Sequence, residues 1–300
     1  MSNNPNKIVV PVDFGDQSHI ALEQALHVAK VINGEITLLY VIETGGLLGR
    51  FANPLQDEGL KKEINSKMEE LITSIDKKDG IKMESVIAYG SVYDKIAEIA
   101  EMLNARFIVM GTNGGKGKIR RRFIGSNALR VVRESKVPVI TIKGKAHREG
   151  CKNIVLPLDL TKETREKVAK AIEFAKLYNS DIRIASVLFT TDEFIVNRLT
   201  RQLSQVKSFV EKAGVRCTAE IIKGIKGEES LGQIIIDYTN KVEGDLIMIM
   251  TQQEQDITDL FVGSAAQDII NRSDVPVLSI VPSPKRLNSA PEITFAIIRK

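Results

Sequence analysis

The chain is written twice, and that repetition constrains its fold more than any other feature of the sequence. Ile8-Val-Val-Pro-Val-Asp13-Phe returns as Ile154-Val-Leu-Pro-Leu-Asp159-Leu, an offset of 146 residues. The same offset carries Ala25, Ala29, Lys30, Asn33, Ile36 and Val41 onto Ala171, Ala175, Lys176, Asn179, Ile182 and Val187. Later, Gly125-Ser126 returns as Gly263-Ser264, and Val137-Pro-Val139 as Val275-Pro-Val277. One matching apolar run is common; a whole ordered series is not. The period is domain-sized, too long for a solenoid unit. The 300 residues therefore divide into two similar domains, 1–146 and 147–282, with an extension at 283–300. The polar, glycine-bounded stretch from Gly144 to Gly150 serves as the linker.

Each half alternates strands and helices. Lys7–Val12 is a continuous apolar run of the kind buried on both faces of a parallel sheet. Ser18–Ile32 has helical spacing, and Gly34 is expected to stop that helix. Strands follow at Glu35–Ile42, Lys82–Ala88, Arg106–Met110 and Val137–Ile142, and helices at Leu60–Ile75, Val92–Leu103 and Asn127–Glu134. The expected fold class is α/β: two repeated doubly wound, Rossmann-like domains, each a five-stranded, mostly parallel sheet with flanking helices. In such sheets ligands bind beyond the carboxyl ends of the strands, here just after Val12, Val41 and Met110.

The loop after the fourth strand carries the most chemistry: Met110-Gly-Thr-Asn-Gly-Gly-Lys-Gly-Lys-Ile-Arg-Arg-Arg-Phe-Ile-Gly125-Ser126-Asn127. Gly111, Gly114, Gly115 and Gly117 let the backbone approach a ligand, and freed N–H groups can cradle phosphate oxygens. Gly125-Ser126 opens the next helix, whose first N–H groups and dipole favour an anion. Lys116, Lys118, Arg120, Arg121 and Arg122 add positive charge or form a solvated face. The loop lacks P-loop spacing and follows the wrong strand for a Walker-type NTPase.

Strand one ending Pro-Val-Asp, then Ser and a helix with Ala-Leu, and later Met-Gly-Thr…Gly…Gly-Ser and Val-Pro-Val, resembles the universal stress protein family in both halves. The resemblance implies an adenine nucleotide alpha hydrolase-like fold and an ATP site, with ADP, AMP and an accompanying Mg2+ left open. It places the adenine and ribose at Pro11, Val12, Asp13 and Val41, and the phosphates at Met110, Gly111, Thr112, Gly114, Gly115, Gly125, Ser126 and Asn127. The family's Gly-x2-Gly-x9-Gly-Ser/Thr motif carries one inserted residue here, since ten residues separate Gly114 from Gly125. Asp13 has a plainer reading too, as the end of strand one and a cap for the helix beyond it.

The second half departs further. Met250 and Gln253 stand where the first two glycines belong, and Glu254, Asp256 and Asp259 bring like charge toward a triphosphate. Gly263-Ser264 reads there as a plain helix N-cap. The stretch Glu43–Gly59, with Gly45, Gly46, Gly49 and Pro54, reads as a flap over the strand ends. His19, His27 and His147 show no metal spacing and read as surface residues; Cys151 and Cys217 are too few for a disulfide framework. No catalytic constellation is apparent, so no enzyme is expected and ATP hydrolysis would be at most slow leakage.

A net charge of +4 demands no nucleic acid, and aromatics at 5% with no Trp argue against base stacking. No apolar run is long enough to span a membrane, and the polar start Met1–Lys7 has no signal-peptide core; the expected location is the cytoplasm. The reading is a nucleotide-dependent regulator in stress response, competent in domain 1 and degenerate in domain 2. The alternative is a non-nucleotide assembly module of the same fold. An adenylylating enzyme is disfavoured because Phe14-Gly-Asp-Gln-Ser18 has no pyrophosphate signature. The fifth strands are expected to be sheet edges that pair the halves into an internal pseudo-dimer, with a homodimer open. The apolar Ile293–Ile298 is expected to pack near that shared edge.

Overall fold

The computed structural model describes residues 6–44, 58–112, 125–143, 150–159, 164–225, 227–253, 260–261 and 263–281. The first half runs β1 (Lys7–Pro11), α1 (Asp16–Ile32), β2 (Glu35–Ile42), α2 (Glu58–Asp79), β3 (Met83–Tyr89), α3 (Val92–Met102), β4 (Phe107–Gly111), α4 (Ser126–Glu134) and β5 (Val139–Ile142). The second runs β6 (Asn153–Pro157), α5 (Thr164–Tyr178), β7 (Asp181–Leu188), α6 (Glu193–Lys212), β8 (Cys217–Lys223), α7 (Leu231–Lys241) and β9 (Leu246–Met250). A small hairpin follows, β10 (Gln252–Gln253) with β11 (Leu260–Phe261), then α8 (Ser264–Arg272) and β12 (Val277–Ile280).

Ten strands form one sheet in the order β3-β2-β1-β4-β5-β12-β9-β6-β7-β8. Within each half of this sheet every pairing is parallel. Successive side chains point to opposite faces, so each face gathers its own apolar layer. Ile8, Val10, Ile36 and Leu38 bury against α1 and α2; Val9, Leu39 and Ile108 bury on the other face, with α3 and α4.

The sequence placed the helix stop one residue late. Asn33, not Gly34, takes the left-handed conformation that ends α1, with φ 54°, and Asn179 does the same in the second half with φ 53°. Asparagine tolerates this region because its short side chain bonds locally. Gly34 serves packing instead: a Cβ there would lie 2.6 Å from the Asn6 carbonyl oxygen.

The halves meet where the fifth strands lie. β5 and β12 pair antiparallel, Thr141 opposite Val277 and Val139 opposite Ser279, and all eight residues are buried. The Thr141 hydroxyl donates to the Val277 carbonyl at 3.3 Å. Beside this seam Phe107 meets Phe174 edge-on at 5.8 Å, Phe174 stacks on Tyr178 at 4.8 Å, and Arg106 lies 3.8 Å from Glu173. The β5 edge of one half and the β12 edge of the other thus cover each other. The expected position of Ile293–Ile298 lies outside the described residues.

Candidate functional site

In each half the strand order reverses beside the first strand, and the chain leaves that strand at the carboxyl end of the sheet. In the first half β1 ends at Pro11 and the buried Val12 still bonds β2, its N–H donating to the Leu39 carbonyl at 2.9 Å. Asp13 follows, exposed, with Oδ1 accepting the Gly15 N–H at 2.9 Å. It therefore closes a turn rather than capping the helix: the N-cap of α1 is Gly15, which has no side-chain cap. That turn puts Phe14 at φ 59°, a strained position for a bulky residue. Its ring is held by stacking on Tyr40 at 5.2 Å, with the Lys67 ammonium 5.7 Å from the ring centre. Val41 is half-buried in β2 opposite Ala88, on the α3/α4 face.

β4 brings the second group. Met110 is buried, and Gly111 is the last strand residue. A Cβ on Gly111 would lie 2.9 Å from the Cβ of Gln17 and 3.0 Å from its carbonyl oxygen. Glycine is thus required there to let α1 approach β4, a packing role the sequence reading did not weigh. The buried Thr112 donates its N–H to the Ile142 carbonyl at 2.9 Å, and its own carbonyl accepts the Gly125 N–H at 2.6 Å. The loop is therefore clasped at its base. Gly114 and Gly115, with Lys116, Lys118 and Arg120–Arg122, lie outside the described residues, as do the flap glycines 45, 46 and 49.

Gly125 is the N-cap of α4, extended at φ −61° and ψ 147°, and it makes no side-chain cap. Ser126 is the first helical residue and exposed, and Asn127 is half-buried. The serine is thus not the capping group in either half, since Gly263 likewise precedes Ser264 as N-cap without a side-chain bond. The consequence in α4 is a first turn whose N–H groups are not covered by a side-chain cap, at the positive end of the helix dipole.

The sequence reading missed a second such end. Gly90, after β3, has φ 138° and donates to the Ile42 carbonyl at 3.1 Å; Ser91, the N-cap of α3, makes no side-chain cap. The signal was present as Tyr89-Gly90-Ser91 between a strand and a helix. One turn into α4, the guanidinium of Arg130 lies 3.9 Å over the ring of Tyr93, at the start of α3.

The same end of the second half is built differently. Met250 pairs with Ile280 as Gly111 pairs with Ile142, so a buried side chain stands in the glycine's place. Gly224 donates to Leu188 at 3.0 Å as Gly90 donates to Ile42. Here, however, the Phe189 ring and the Ile234 methyl lie within 2.6 and 2.7 Å of where a Gly224 Cβ would be. The residue matching Phe189 in the first half is the exposed Glu43. Lys167 of α5 donates to the Pro157 carbonyl at 2.6 Å. At the position of Arg130 stands Asp268, which accepts from Ser230 at 2.5 Å and pairs with Arg272 at 2.5 Å. Ser230 in turn caps α7 by accepting the Gln233 N–H at 3.1 Å. The end that α3 leaves bare is closed in α7.

Among the described residues no three His, Cys, Asp or Glu side chains group to hold a metal. Burial pushes both the Cys151 and Cys217 thiols up to about 12, so neither is a thiolate nucleophile near neutrality. His19 is exposed as expected; His27 is half-buried in α1, and His147 lies outside the described residues. No helix among the described residues is long and apolar enough to cross a membrane.

Comparison with known proteins finds the same duplication. The model of the Universal stress protein family matches residues 5–143 and again 150–280. Universal stress protein MJ0531 of Methanocaldococcus jannaschii is 32% identical over 140 residues, covering 46% of this chain and 81% of that protein. Universal stress protein MJ0577 of the same organism is 28% identical over 163 residues, covering 48% of this chain and 99% of that protein. Among solved structures, a universal stress protein from Archaeoglobus fulgidus superimposes with a TM-score of 0.70 at 22% identity, over 93% of this chain and 97% of that one.

Proposed function

This chain belongs to the universal stress protein family, and we propose that its first half binds an adenine nucleotide, ATP being the leading candidate, while its second half does not. The observation that carries the reading is the contrast between the two mouths, Gly111, Glu43 and Arg130 in the first half against Met250, Phe189 and Asp268 in the second. In the first half this open mouth adjoins an extended glycine N-cap that leaves the first-turn N–H groups of α4 without a side-chain cap, beside the Thr112–Gly125 clasp. A phosphate group supplies the acceptors those donors lack. The fit is steric as well as electrostatic. A Cβ at Gly125 would lie 3.2 Å from the Thr112 carbonyl oxygen and would crowd the clasp over which the phosphates would lie. Pro11, Val12, Asp13 and Val41 would then face the adenine and ribose, with the outward carboxylate of Asp13 offering an acceptor to the base or sugar.

The role proposed is regulation in a stress response through bound nucleotide rather than turnover. The second half, its mouth filled by Phe189, Ile234 and Met250, serves assembly through the β5–β12 seam. Calorimetric titration with ATP, together with mass spectrometry of the supernatant after denaturation, tests the reading. One adenine nucleotide per chain is expected. No binding, or two equivalent sites, overturns it.

A further inference from the structure

We propose that Tyr93 and Arg130 work as a pair that sets the charge preference of the first-half site. Tyr93 is a positioning residue, and the guanidinium it holds is the group that meets the phosphates. The inference rests on nucleotide binding in the first half and names how that site tells ATP from uncharged adenosine.

α4 starts at Ser126, so Arg130 stands about 6 Å along its axis at roughly 1.5 Å per residue. Helical side chains lean toward the N-terminus, so the arginine stem runs back toward the mouth. It ends with the guanidinium 3.9 Å over the ring of Tyr93, the second residue of α3. The strands of this half are parallel, so α3 leaves β3 at the same end of the sheet at which α4 begins. Tyr93 also packs against the apolar layer that takes Val41. Stacking engages the face of a guanidinium and leaves its N–H edge for an acceptor. Among the described residues Arg130 donates no hydrogen bond. Its ion-pair neighbour Glu134, at 3.8 Å, is held more closely by Arg133, at 2.6 Å. Lys95, in the first turn of α3, differs: Glu98 takes its ammonium at 2.6 Å.

The second half supplies the control. Gly232, the second residue of α7, stands in the place of Tyr93, and Asp268 in the place of Arg130. A Cβ on Gly232 would lie 2.7 Å from both the Cβ and Oδ2 of Asp268, so no ring fits there. The carboxylate of Asp268 is itself engaged by Ser230 and Arg272. Ring and cation are thus both present at the open mouth and both absent from the filled one. A ring needed only for packing has no reason to depend on the charge at the other position.

Calorimetric titration of the full chain with ATP and with adenosine, in the parent and in four variants, tests the pair. Arg130→Gln should weaken ATP about tenfold and leave adenosine unchanged. Tyr93→Leu keeps an apolar side chain and removes the ring; it should weaken ATP about fivefold, again sparing adenosine. Tyr93→Phe keeps the ring and should retain the parental affinity for ATP. The double variant is decisive. In the Arg130→Gln background, Tyr93→Leu should weaken ATP no further, because the ring acts through the guanidinium alone. An unchanged ATP-to-adenosine ratio in Arg130→Gln overturns the proposal. So does a Tyr93→Leu loss that is equal for the two ligands, or one that persists in full in the double variant. Those outcomes leave nucleotide binding in the first half standing, whereas a parent chain that binds neither ligand overturns both readings.

Discussion

The two carboxyl ends of this sheet share one backbone and have opposite interiors. Gly90 and Gly224 donate to equivalent carbonyls, and the threonines after β4 and β9 donate to the last residue of β5 and β12 alike. Yet where the first half has Gly111, Glu43 and Arg130, the second has Met250, Phe189 and Asp268. A duplicated fold preserves the groups that bond the backbone and frees the side chains that face the mouth. A ligand site can then be lost by filling it, with little cost to the sheet beneath.

The sharpest way to break this comparison is to place the same side chain at both helix starts. Gly125→Val should lower ATP affinity about a hundredfold or more, roughly 2.7 kcal/mol. Gly263→Val should leave it unchanged. Both glycines are extended, so valine is conformationally allowed at each, and the fold should lose only about 1 kcal/mol or less. Calorimetry and denaturant melts on the two variants measure both quantities. Equal losses of affinity would mean that the halves are not functionally distinct.

The next effect is electrostatic. Arg130→Asp gives the first half the residue of the second and should weaken ATP about tenfold, or 1.4 kcal/mol, while adenosine binding holds. Neutralising Lys116, Lys118 and Arg120–Arg122 together should act in the same direction. If ATP and adenosine weaken equally, these cations do not face the phosphates. Asp268→Arg should not create a second site, because Phe189 and Met250 still fill the mouth.

The fold was legible because its signals are local and duplicated. Every strand and helix of the first half was placed within a few residues, and the repeated Asn33 and Asn179 proved to be left-handed helix ends. Ser135 and Ser273 clasp the chain before each Val-Pro-Val in the same way, accepting the N–H of Val137 and Val275 at 3.0 and 3.2 Å. The duplication that betrayed the domains also betrayed these turns. The site was legible only in part. Gly111 was read as a ligand contact, and its packing against Gln17 is a further relation, between distant segments, that no local pattern encodes. Lys7 was read simply as the first residue of the strand-one run. It is 3% exposed, with its ammonium 3.4 Å from Glu84, and the Thr37 hydroxyl donates to the same carboxylate oxygen. In the second half the cation sits one strand over, as Arg183 bonding Asn153 and Asp181. Such compensation appears only when the strands are laid side by side.

The smallest expected effect sharpens the comparison through pH. Both cysteines lie in the second half, and burial raises each thiol from 9.0 to about 12. In the unfolded chain they return to ordinary values. Below about pH 9 the thiols are protonated in both states, and their contribution to stability is fully present. As pH rises toward 12 the unfolded chain releases thiol protons that the folded chain keeps. Stability must therefore fall across this window, by at most about 1.4 kcal/mol per pH unit for each thiol. Burial raises Tyr178 and Tyr238 in the same half, which adds to the same slope. Urea midpoints at pH 8 and pH 10 should show a smaller alkaline loss in the Cys151→Ala/Cys217→Ala double variant than in the parent chain. An identical alkaline loss in both proteins would assign the pH sensitivity to other groups, and the thiols would no longer mark the second half as the more alkali-labile part of the sheet.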